Sequence, residues 1–177
     1  MPGKSGRRAP RMPLLGAPSD AIDPYLPRNG NLGFRVLRYD LELEYKVTSN
    51  RLDATATLTA TSFQDLRRFT LDLAGTMRVS RVGVNGKRTR YTHRSGKLAI
   101  TPAEMIPPGG AMTVAVRYTG SPKPISGAWG EVGWEELTDG SLCANQPNGA
   151  ASWFPCDDHP SCKAPYRISV TTDSPYY

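Results

Sequence analysis

Three stretches of this chain alternate apolar and polar residues with a period of two. Tyr39, Leu41, Leu43, Tyr45 and Val47 alternate with Asp40, Glu42, Glu44 and Lys46. Leu52, Ala54, Ala56, Leu58 and Ala60 alternate with Asp53, Thr55, Thr57, Thr59 and Thr61. Met112, Val114, Val116 and Tyr118 alternate with Thr113, Ala115, Arg117 and Thr119. Successive side chains of a strand point to opposite faces, so this pattern predicts half-buried strands. A wet face on each strand predicts antiparallel sheets, not a parallel sheet covered by helices on both sides.

The segments between these runs read as turns and further short strands. Thr48-Ser49-Asn50-Arg51 predicts a loop closing the first hairpin. Phe69, Leu71 and Leu73 face one way, Thr70 and Asp72 the other. Val82 and Val84 lead into Asn85-Gly86, a pair suited to a type I′ turn because both tolerate positive φ. A return strand is expected through Arg88 to Tyr91, then a turn at Ser95-Gly96 and a strand with Leu98 and Ile100. Pro107-Pro108-Gly109-Gly110 forces a loop. Ser121 to Gly133 is rich in Gly and Pro and is expected as a long loop or flap carrying Trp129, with Trp134 just after it, the tryptophans packing beneath it. Ser141–Asn145 and Tyr166–Thr172 are the last expected strands. Short strands at this spacing predict an all-β fold, an antiparallel β-sandwich. Residues 1–33 are expected as an irregular cationic tail, and 34–177 as the sandwich domain.

Charge narrows the function classes. The net charge is +6, but residues 1–38 hold seven Lys and Arg against Asp20 and Asp23. Residues 39–177 hold fifteen basic and fourteen acidic residues. The body is thus expected to be nearly neutral, with no basic stripe interleaved with aromatics and no nucleic-acid partner. No run of about 18 apolar residues is present, so no helical membrane span and no membrane partner are expected. The basic head lacks the apolar stretch of a secretion signal. Three cysteines, an odd number, argue against a disulfide scaffold and for a cytoplasmic protein.

The sequence holds no G-x-G-x-x-G, no P-loop, no G-x-S-x-G and no H-E-x-x-H. Its two histidines are His93, expected in a solvated loop, and His159. Cys156, His159 and Cys162 lie within seven residues, but a structural zinc needs four ligands and the second pair is missing. This segment is expected as a turn in which Asp157 and Asp158 bond backbone N–H groups. Those two carboxylates also raise the Cys156 thiol pKa, which disfavours a Cys156–His159 nucleophile pair. Gln146-Pro147-Asn148-Gly149 is a turn in which Gln146 can present its side-chain carbonyl to a ligand donor.

The densest segment resembles a known family. Asn145-Gln146-Pro147, Gly149-Ala150 and Trp153-Phe154-Pro155-Cys156-Asp157-Asp158-His159-Pro160, followed by Lys163-Ala164 and Tyr166, are similar to the N-terminal domain signature of the aminopeptidase N zinc metallopeptidases. The F-P-C-x-D-x-P-x-x-K-A order runs from Phe154 to Ala164, and the wording is closest to actinobacterial-type members. Tyr39 to Leu43 and Leu71-Asp72-Leu73 extend the resemblance over roughly residues 30–175. It implies a saddle-like β-sandwich packed against a thermolysin-like catalytic domain. It places Gln146 where the family binds the free α-amine of a peptide, with Asn148 in the same turn as a second substrate-binding candidate. Gln is a neutral acceptor where the family more often has Glu, so the ammonium is held less strongly. The family's G-A/G-M-E-N strand and H-E-x-x-H-x(18)-E zinc motif are absent, so no catalytic residue and no metal ligand carry over. The resemblance implies zinc only in the missing catalytic domain, and no cofactor here. The expected partners are a peptide amino terminus and that metallopeptidase domain. The chain alone is expected to be inactive, as a fragment or truncated form. The rival expectation is a free-standing binding module that has lost the peptidase.

Overall fold

A computed structural model of the chain describes residues 22–127 and 130–173. Its strands are β1 (Phe34–Lys46), β2 (Arg51–Ser62), β3 (Phe69–Asp72), β4 (Met77–Val84), β5 (Lys87–Arg88), β6 (Arg90–Arg94), β7 (Lys97–Thr101), β8 (Ala111–Gly120), β9 (Ile125–Gly127), β10 (Gly130–Leu137), β11 (Gly140–Ala144) and β12 (Tyr166–Thr172). The main sheet has six strands in the order β12-β1-β2-β8-β4-β5. Two three-stranded sheets, β11-β10-β9 and β3-β7-β6, complete the fold.

The period-two runs build the main sheet. Leu41 pairs with Ala56, and Ala56 pairs with Val116, so the alternating residues of β1, β2 and β8 share one inner face. That face and the smaller sheets form one core, in which Leu52, Leu71, Leu73, Leu98 and Ile100 are fully buried. Each such side chain contributes about 1.5–3 kcal/mol through burial. The Asn85-Gly86 turn has φ of 50° and 76°, as a type I′ hairpin requires. The return strand is cut in two. β5 pairs with β4, whereas β6 pairs with β7 in another sheet, so the chain changes sheets at Thr89.

Three expectations need correction. The main sheet is not wholly antiparallel: β12 runs parallel to β1, with Tyr39 opposite Tyr166 and Leu43 opposite Val170. The chain enters β12 from the long 145–165 segment, a crossover rather than a hairpin. The expected flap is instead the β9–β10 hairpin, continued by β10–β11. Trp134 lies on β10 and is buried against Tyr45 and Trp153, while Trp129 lies outside the described residues. His93 is on β6, where its Nε2–H donates to the Leu73 carbonyl at 2.9 Å.

Candidate functional site

The turn that carries Gln146 connects β11 to a short 3-10 turn, Ala150–Ser152. Gln146 and Pro147 are exposed and joined by a cis peptide bond. Asn148 is 5% exposed, and its Oδ1 has no hydrogen-bond partner among the described residues. The turn is pressed onto β10 at two glycines. Gly133 and Gly149 have φ of 108° and 124°, a region open mainly to glycine. A Cβ on Gly149 would stand 2.9 Å from the Gly133 nitrogen, and one on Gly133 would fall on Ser152. Beside this contact the Trp134 N–H donates to Ser152 Oγ at 3.0 Å.

A buried polar network holds the turn from below. The Gly149 N–H donates to Asp158 Oδ2 at 3.1 Å, and the Asp158 N–H donates to Asp72 Oδ2 at 3.2 Å. Asp72 and Cys156 exchange backbone hydrogen bonds of 2.7 and 3.0 Å, tying β3 to the F-P-C segment. Asn31 N–H donates to Asp157 Oδ1 at 2.9 Å, and Gly30 N–H to Asp72 Oδ2 at 2.8 Å. Lys97 forms an ion pair with Asp72 and donates to the Gly30 carbonyl. Of the three buried carboxylates, Asp72 is the one that pairs directly with the Lys97 ammonium. Burial raises the pKa of Asp72, Asp157 and Asp158, the last to about 6, because charge is costly away from water. Backbone N–H donors to Asp158 and the Lys97 ammonium beside Asp72 oppose that rise.

The turn reading of Asp157 and Asp158 therefore matches the structure, and both carboxylates accept backbone N–H bonds. Asp72 departs from its expected wet face, since the 29–31 and 156–158 segments fold over it. Sequence reasoning missed Asp72, Lys97 and Gly133; only the quoted Leu71-Asp72-Leu73 match hinted at the first. The Cys156 thiol is pushed well up by burial and by Asp158, so it stays protonated and a poor nucleophile. His159 Nδ1 accepts the Ser161 N–H at 3.2 Å. The described residues do not fit a zinc ion, because no three His, Cys, Asp or Glu side chains converge.

Fold and site define a class: a β-sandwich domain that presents an anchored turn. Residues 36–177 match the model of the peptidase M1 N-terminal domain, and the chain belongs to that family. It is similar to the M1 zinc metallopeptidase from Deinococcus radiodurans, with 32% identity, a TM-score of 0.77, and 84% of this chain and 34% of that one covered. A mutant of that enzyme bound to a Tyr-Ser-Ala substrate matches at 32% identity and a TM-score of 0.76, over 83% of this chain and 34% of that one. Yeast LTA4 hydrolase in complex with bestatin shares the fold at 19% identity and a TM-score of 0.67, over 88% of this chain and 25% of that one. The chain thus spans about a third of the length of the Deinococcus enzyme. Among the described residues, no helix is long and apolar enough to cross a membrane.

Proposed function

We propose that this domain forms one wall of the substrate cleft of a zinc aminopeptidase and helps hold the free α-amine of the peptide. The observation that carries the reading is the anchored turn, which leaves Gln146 exposed while fixing Gly149 through Asp158. Gln146 Oε1 accepts a hydrogen bond from the ammonium, whereas Asn148, the second candidate of the turn, is buried with its Oδ1 closed to an incoming ligand. Zinc and the attacking water belong to a separate metallopeptidase domain.

The partner domain has a surface to meet. Tyr166, Ile168 and Val170 of β12 are 49%, 48% and 60% exposed, although they share a face with the buried Tyr39, Leu41 and Leu43. The inner face of the main sheet is thus uncovered at this edge, and three aligned apolar side chains mark an interaction site. We assign its cover to the metallopeptidase domain, because the Deinococcus relative has two-thirds of its length beyond the match. The three cysteines are all free, which supports a cytoplasmic setting.

The test is kinetic, on this chain assembled with its metallopeptidase domain. Gln146→Ala is expected to raise KM for free-amine peptides roughly tenfold, the worth of one lost hydrogen bond to a charged group. Gln146→Glu is expected to lower it, because a carboxylate binds ammonium more strongly. Unchanged KM in both variants would refute the role.

A further inference from the structure

The near-zero net charge of residues 39–177 conceals a segregation. From Leu73 to Gly130 there are nine Lys and Arg residues and a single carboxylate, Glu104. From Glu131 to Cys162 there are six carboxylates and no Lys or Arg. The nearly neutral body therefore holds one cationic region. Its centre is the edge where β6 faces β4.

Among the described residues, β6 ends the β3-β7-β6 sheet and is hydrogen-bonded as a strand to β7 alone. Arg90, Thr92 and Arg94 are exposed and alternate with half-buried Tyr91 and His93, so the arginines repeat along one side of an open edge. Between this edge and β4 runs a groove of about 400 Å³ lined by Arg78, Val79, Tyr91, Thr92, His93 and Arg94. Arg78, Arg90 and Arg94 form no ion pair among the described residues. Cations on an edge strand ordinarily keep like edges apart. The same cations attract an edge of opposite charge.

We propose that the open edge of β6 is a docking site for an extended acidic segment of a partner protein, added as a further strand. Main-chain hydrogen bonds to β6 supply affinity. Carboxylates four positions apart, roughly 13 Å along a strand, meet Arg90 and Arg94, the alternate position between them faces Thr92, and Arg78 lies across the groove. The planar guanidinium fork suits carboxylates. A single-stranded nucleic acid is the less suited polyanion, because it needs exposed aromatic platforms. The ring at hand, Tyr91, is half-buried and spends its hydroxyl on the Val79 carbonyl. This inference is independent of the amine-anchoring role.

Fluorescence anisotropy with the full chain tests it. The probe is a labelled, end-blocked ten-residue peptide of alternating Glu and Val. Its controls carry Lys for Glu, or N-methyl groups on one or the other alternate set of residues. The parent peptide is expected to bind, and the Lys version not. One N-methylated set is expected to lose at least tenfold, because only one set faces β6. The double variant Arg78→Glu with Arg94→Glu is expected to lose at least as much. The proposal falls if the parent does not bind, if both N-methylated peptides bind as the parent does, or if oligothymidylate binds as tightly.

Discussion

Asp158 joins pieces of chain that are far apart in sequence. Its carboxylate accepts the Gly149 N–H and the Asn29 side-chain N–H, and its own N–H reaches Asp72. Because burial raises its pKa to about 6, the folded state binds its proton more tightly than the unfolded chain, where the value is 3.8. Stability contributed by that proton is fully present below about pH 4 and is lost as pH rises to about 6. Stability is therefore expected to fall by about 2–3 kcal/mol across that window, opposite to the usual carboxylate behaviour. Asp72 and Asp157, also raised, act in the same direction. Asp158→Asn is expected to flatten the slope, which denaturant unfolding at pH 4.5 and pH 7 measures. An equal slope in the variant would contradict this assignment. The sequence makes Asp157 and Asp158 legible as N–H acceptors, because a short acidic turn before Pro160 has few other uses. It does not reveal Asp72, since period two assigns a face but cannot say what folds over it.

At the scale of elements, two contacts carry the site. The first is β10 against the 145–152 segment. Gly133→Ala places a Cβ on Ser152 in a backbone region hostile to side chains. The expected cost is about 2–4 kcal/mol in unfolding free energy, with the Gln146 turn displaced. The second is the aromatic chain in which Phe154 packs edge-on against Tyr39 at 5.5 Å and Trp153 at 4.4 Å, and meets Tyr166 at 6.1 Å. Phe154→Ala is expected to cost about 3–5 kcal/mol, read by thermal or denaturant melting. Strands β1, β2, β7, β8 and β11 and the Asn85-Gly86 turn are visible in the sequence because alternation and turn chemistry are local. The flap is misread because Gly127, Gly130 and Gly133 look like loop residues. In fact Gly130 and Gly133 take positive φ, and Gly127 lies close against the Gly130 carbonyl. The parallel docking of β12 is non-local, and alternation alone cannot set strand direction.

At the scale of the whole molecule, the described residues form a sandwich left open at β12. Ile168→Asp is expected to leave the melting temperature within a few degrees, since the side chain is half exposed, and to weaken binding to the metallopeptidase domain at least tenfold. Retained binding would place the interface elsewhere. Sequence resemblance already carries the family and Gln146. The uncovered apolar edge is legible only once the register sets Ile168 beside Leu41. The most direct test of the account is a crystal structure of this chain assembled with the metallopeptidase domain and a Tyr-Ser-Ala peptide. The account predicts the peptide ammonium about 3 Å from Gln146 Oε1, at hydrogen-bond distance. An ammonium bound wholly by the other domain, with Gln146 turned to solvent, would contradict it.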